Sequence, residues 1–205
     1  MAIIVGTAAL ILVLSVFNGF EGLVKSLYAS FYPDLKIGPA SGKVLSLTQE
    51  QIEKIRGIQG IKNFSLVVEE KAILQNGNNQ SIVYLKGVDD NYETTTTVNK
   101  HIYSGKFDVG SEQQPLLGFG VGIEGSLGIR AGSDVYPLTI YVPRKSSSEE
   151  LNELENISTD TIHTAGSFMI QQDFDNKYVI TNLGFLQKAM QLNANEYSGV
   201  EIAVI

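Results

Sequence analysis

The chain has 205 residues, of which 43% are hydrophobic, 9% aromatic and 18% charged. That is a globular composition, long enough to bury a real core as one large domain or two small ones. Its net charge is −7, and an acidic chain without a basic stripe argues against a nucleic-acid partner, while the absence of Cys excludes disulfides and thiolate metal sites.

In chain order, residues 1–20 come first; they carry no charge and are mostly Ala, Ile, Val, Leu and Phe. A bilayer core about 30 Å thick needs roughly 20 such residues in a helix. Three readings compete. A signal peptide wants Lys or Arg in front and a small-residue cleavage site behind, but Phe17, Asn18 and Phe20 stand where small residues belong. A buried core helix suits an apolar part that is slightly short for a span. A membrane helix cut at its entry side accounts for most of the pattern and is the expectation. Beyond it, Phe17, Phe20, Leu23, Val24, Leu27 and Phe31 recur at steps of three, four and seven, which is one apolar stripe on a helix. The helix is expected to leave lipid near residues 18–19 and continue as a stalk. Pro33 stops it, because Pro disfavours helical geometry in the residue before it. A rigid stalk can carry movement between a membrane and a soluble domain. Its stripe makes Phe17, Phe20, Val24 and Leu27 candidates for contact with a partner helix or a lipid cargo.

The remainder alternates short strands and helices. Leu35–Ile37 reads as a strand. Thr48 and Gln51 make a capping box ahead of Ile52, Ile55 and Ile58, and Gly57 and Gly60 end that helix. Ile61–Leu74 and Ser81–Val88 are strands joined by a turn at 76–79. The Thr run at 94–97 reads as a polar connector. A short helix near Val121–Leu127 closes on Gly128. A strand spans Val135–Val142, with Pro143 ending it. Residues 143–160 form the most polar stretch, expected as a loop. Strands follow at Thr161–Gln171 and Tyr178–Thr181. Asn182 caps a helix through Leu192 that buries Leu183, Leu186, Ala189 and Met190, and Val200–Ile205 is a last apolar strand.

Several motifs invite chemistry and fail on context. Gly120–Gly125 matches G-x-G-x-x-G, but the helix after it is about two turns and no acidic strand end follows at the required distance; a tightly packed glycine-rich helix is expected. No phosphate-binding G-x-x-x-x-G-K-[ST] occurs, so ATP is not bound in that manner. His163 reads as a surface or satisfied residue. Asp173 and Asp175 lack a closing Glu for a calcium loop and read as a hairpin turn. No nucleophile–base pair stands out, so an enzyme is the least favoured class, and no cofactor is expected.

The stretch VGTAALILVLSVFNGFEGLVKSLYASFYPDLKI resembles the first membrane helix and stalk of the lipoprotein-releasing ABC permeases, within the wider macrolide-exporter and FtsX-like permease group. The LSVFNGFE run, the apolar stalk and the PDLKI strand carry the resemblance. Weaker matches run through GVGIEGSLGIRAGSDV, FDNKYVIT and SGVEIAVI. The resemblance implies a non-catalytic permease subunit in a bacterial inner membrane, periplasmic from about residue 33. Its expected partners are a separate ABC ATPase subunit, a second permease copy or paralogue, a lipoprotein cargo and a periplasmic carrier. The expected fold is α+β: helix and stalk at 1–32, an outer lobe at 33–105 plus 198–205, and an inserted β-rich lobe at 106–197. The chain is expected to be a fragment of a longer permease. One subunit of such permeases uses a protruding loop to recruit its carrier; by position, that loop is 143–160, and its candidate contacts are Arg144, Lys145, Leu151 and Leu154. Two alternatives stand beside this reading: a permease of the group with another cargo or a regulatory output, and a membrane-anchored binding or structural module.

Overall fold

The computed structural model describes residues 2–131, 137–145 and 156–205. An N-terminal apolar helix is followed by a mixed α/β domain. The helix, α1, runs Ala2–Phe31, and its 30 residues reach about 45 Å at 1.5 Å each. Among the described residues it is the one helix long and apolar enough to cross a membrane. From Ile3 to Leu23 its side chains are exposed on every side. Val24 and Leu27 are half-buried, and Ser30 and Phe31 are buried in the domain.

β1 (Leu35–Ile37) and β2 (Leu45–Ser46) lead to α2 (Gln49–Arg56). The capping box forms as expected: Gln51 N donates to Thr48 Oγ1, and Thr48 N donates to Gln51 Oε1. Ile52 and Ile55 are buried, but Ile58 lies beyond the helix and stays exposed. β3 (Ile61–Asn76) and β4 (Asn79–Val88) form a hairpin turned at Gly77, whose φ of 57° suits a residue without Cβ. After α3 (Tyr92–Thr95) come β5 (Ile102–Gly105), β6 (Leu116–Gly120) and α4 (Val121–Leu127), which ends on left-handed Gly128. β7 (Pro137–Pro143), β8 (Ile157–Phe168), α5 (Gln172–Asp175), β9 (Tyr178–Asn182), α6 (Leu183–Ala189), β10 (Glu196–Tyr197) and β11 (Gly199–Val204) complete the chain.

Among the described residues, nine strands form one sheet in the order β1-β11-β3-β4-β9-β6-β8-β5, with β7 pairing both β3 and β8. β4–β9 and β6–β8 are parallel and the other pairs antiparallel. Because β7 bridges β3 and β8, the pairings close a ring: β3, β4, β9, β6, β8, β7 and back to β3. The long β3 makes this possible by sharing one edge between two partners. Ile61–Val67 pairs with β11, and Ile73–Gln75 pairs with β7. Inside the ring, Ala72, Leu74, Leu85, Phe119, Ile140, Ile162 and Val179 pack with Ile123 and Leu127 of α4 and Phe185 and Leu186 of α6. Val67 and Val68 are both fully buried, but in different cores. Val68 faces the ring interior, while Val67 faces a second cluster with Phe31, Tyr92, Phe168 and Phe174. A third core packs α2 against β11 and the start of β3.

Four local expectations change. The Thr run is not a solvated connector: Thr94 and Thr95 lie in α3, and Thr95 and Thr96 are buried. Their hydroxyls donate to the Asn91 and Tyr92 carbonyls, which removes the cost of burying them. Asp173 and Asp175 sit on α5 rather than in a hairpin turn, because Asp175 turns inward and accepts from Ile170 N. β7 includes Pro143, which faces Ile157 at the end of the ladder where its missing N–H is least costly. β8 begins at Ile157, so 157–160 is strand rather than loop, and it ends at Phe168 rather than Gln171. The start of the expected strand at Val135, and Leu151 and Leu154, lie outside the described residues.

Candidate functional site

The place where the apolar helix enters the domain is a dense polar–aromatic site. The stripe Phe17, Phe20, Val24, Leu27 continues at helical spacing into Phe31, the last residue of α1, which is fully buried. The Phe31 ring stacks on Phe174 of α5 at 4.5 Å between centroids and meets Tyr178 of β9 at 4.5 Å and Phe168 of β8 at 6.2 Å. Tyr28, one turn earlier, adds an edge contact to Phe174. Ser30 O accepts from Thr97 N, and the Asp34 carboxylate Oδ2 accepts from Val204 N, so one backbone and one side-chain hydrogen bond hold the two sides of the exit. Removing a buried ring of this kind typically costs ~3–5 kcal/mol.

Under Phe31 lies a buried ion pair. Lys86 of β4 and Glu201 of β11 are each 1% exposed, and Lys86 Nζ is 2.7 Å from Oε1 and 2.8 Å from Oε2. The same ammonium lies 5.1 Å from the Phe31 ring centre and 4.9 Å from that of Tyr92. Such contacts reach about 2 kcal/mol when water is excluded. Lys36 of β1 approaches Glu201 at 3.8 Å and Glu69 at 3.6 Å, on the more exposed side. Burial works against the Lys86 charge, but Tyr92 and the carboxylates of Glu201 and Glu69 more than offset it, so the amine is held above its ordinary range and remains protonated. Burial pushes the phenols of Tyr92 and Tyr178 up, so both keep their protons. A half-buried acid, Asp89, accepts from Ser65 Oγ at 2.6 Å and Leu66 N at 3.1 Å; partial burial raises its pKa. Among the described residues no three His, Asp or Glu converge on a metal.

The sequence-predicted residues fall in two places. Phe17 and Phe20 are 67% and 63% exposed, while Val24 and Leu27 are half-covered by the domain. At the end of β7, Arg144 N donates to Asn156 O, and Lys145 N donates to Met190 O. Lys145 Nζ also pairs with Glu196 of β10 at 2.6 Å. That pair holds the Glu196 carboxyl below its usual range. So Lys145 ties the strand end to β10 and α6. Arg144 lines a polar cleft of about 490 Å³ with Glu112, Asp160 and Lys188. Gly120 and Gly122 are packing glycines: a Cβ on either would collide with Asp175 or Asn176. His163 is exposed on β8. Sequence reasoning missed Lys86 and Glu201. Each is a single charge inside an apolar strand, in IVYLKGV and SGVEIAV, and that pattern is the signal by which they could have been found.

No family model matches the sequence. Among solved structures, the fold is similar to the extracellular domain of the noncanonic ABC-type transporter YknZ from Gram-positive bacteria, with a TM-score of 0.55 and 12% identity over 82% of this chain and 81% of that one. It is also similar to the periplasmic region of MacB from Actinobacillus actinomycetemcomitans, with a TM-score of 0.50 and 9% identity over 78% and 66%. At these identities the likeness concerns the fold. The chain thus pairs an apolar helix with the fold of extracytoplasmic domains of ABC-type transporters.

Proposed function

We propose that the chain is a membrane helix, stalk and extracytoplasmic domain of a permease subunit in an ATP-driven ABC system that releases lipoproteins from a bacterial inner membrane. Residues from about 33 onward lie in the periplasm. The observation that carries this is the two-ended character of α1. One end is bare and apolar on every side, and the other is locked through Phe31 into the sheet. A helix built so can deliver membrane motion to the domain. A separate ATPase subunit supplies the work, and this chain does no chemistry. Phe17, Phe20, Val24 and Leu27 contact the stalk of a second permease copy or the lipid part of the cargo. Arg144 and Lys145, with Leu151 and Leu154, form the carrier-docking loop, and Lys145 does so from its tether to Glu196.

The division into an outer lobe, 33–105 plus 198–205, and an inserted lobe, 106–197, belongs to the same proposal. The α2 core supports it, being built almost wholly from the outer stretch. The ring core draws on both stretches, so the lobes move as parts of one sheet.

A second reading keeps the permease and changes the cargo or makes the output regulatory. The likeness to YknZ and MacB supports it as well as it supports the first. The test is purification of the full-length protein from membranes, followed by reconstitution. Co-purification of an ATPase and ATP-dependent release of lipoprotein from vesicles is the expected result. An ATPase without lipoprotein release favours the second reading, and no ATPase at all leaves a membrane-anchored binding module.

A further inference from the structure

We infer that Phe31 and the Lys86–Glu201 pair form a latch that registers the position of α1. The inference rests on the reading of α1 as a moving stalk. Phe31 is the terminal residue of α1, so any pull or twist of that helix acts on it directly. Its ring covers an ammonium that is otherwise enclosed by Tyr92 and Glu201. The two charges belong to β4 and β11, which are not neighbours; both pair with β3, which lies between them. The pair therefore braces three strands directly beneath the helix end. With the ring seated, water is excluded and the pair is at full strength. With the ring withdrawn, water enters, the attraction between the charges falls, and β4 and β11 are no longer held across β3. Lys36, half-exposed and 3.8 Å from the same carboxylate, stands ready to take Glu201 when Lys86 turns to water. The latch thus has two arrangements of one carboxylate, which a small displacement of α1 selects.

The test is acylation of Lys86 by a water-soluble acetylating reagent, read by mass spectrometry on the full-length protein in its membrane. In the resting wild type, Lys86 should react far more slowly than the exposed Lys177. Phe31→Ala at rest should raise its rate on the order of tenfold or more. Phe31→Leu, which keeps apolar bulk and loses the ring, should raise it less. Slow hydrogen exchange in β9 in both variants establishes that the domain stays folded. During ATP turnover by an associated ATPase, wild-type Lys86 should become reactive, and trapping the ATPase in one state should fix its reactivity high or low. Unchanged reactivity in folded Phe31→Ala overturns the latch, as does a silent Lys86 in a complex that hydrolyses ATP. Failure of any ATPase to associate counts against the transporter reading instead, and the comparison at rest still decides the latch.

Discussion

Lys86 with Glu201 and Lys145 with Glu196 are the same pair of groups at nearly the same distance, 2.7 and 2.6 Å. They differ in surroundings. The first pair is 1% exposed on both sides, with aromatic rings over the cation. In the second, the lysine side chain is 41% exposed at a strand end, and Glu196, 10% exposed, has a further donor in Asn193 N. In a dry site, losing one partner strands the other as an uncompensated charge, whereas at a wet site water takes its place. The difference teaches where this fold keeps its rigidity: under the helix end, and not at the rim where a polar segment begins.

The comparison is broken most severely by removing one buried charge. Lys86→Met should lower the unfolding free energy of the domain by ~3–5 kcal/mol, read by urea denaturation, because Glu201 is left buried with only Lys36, 3.8 Å away on the more exposed side, to face it. A loss under about 1 kcal/mol would mean that water already reaches the site. Next in size is recovery: Lys86→Met combined with Glu201→Leu should regain most of that loss, because two apolar side chains replace a fully desolvated pair. A double variant no better than the single one would assign the cost to lost packing on Phe31 and Tyr92. Lys145→Met should be much milder, within about 1 kcal/mol, by the same measurement.

The smallest effect is in the pH dependence. Glu196 is held below its ordinary value of 4.5 by Lys145 first and by Asn193 N second. The folded state therefore binds fewer protons than the unfolded chain. The stabilisation is fully present above the ordinary carboxylate value and is lost as pH falls through the lower folded value. Lys145→Met should flatten that acidic limb of the stability curve. An unchanged limb would assign the effect to the backbone donor.

What the sequence revealed follows from local rules. The capping box at Thr48, the left-handed Gly128 and the Asn182 cap were legible because each depends on residues within one helical turn. The apolar stripe of α1 was legible for the same reason, through its spacing. The closed ring was not, since nothing in Ile61–Asn76 announces that one edge serves two strands from distant parts of the chain. The early start of β8 was hidden by composition: Ser158–Asp160 look like loop and become strand only because β7 supplies partners. The buried threonines at 95 and 96 were hidden because satisfaction by a carbonyl four residues back is invisible until the turn exists. The candidate site divides along the same line. Its apolar approach through Phe31 was readable, while the meeting of Lys86 and Glu201 depended on long-range register.

The shared edge of β3 also bears on how the chain is made. Among the described residues, Ile61–Leu66 find their strand partner only in β11, well over a hundred residues further along. At ordinary synthesis rates that segment waits on the order of ten seconds with its edge open. During that time it presents unpaired amides and carbonyls and the Phe64 side chain to whatever is nearby. A nascent chain of this design keeps that edge open until β11 is made, and its yield on expression should track the speed with which that strand arrives.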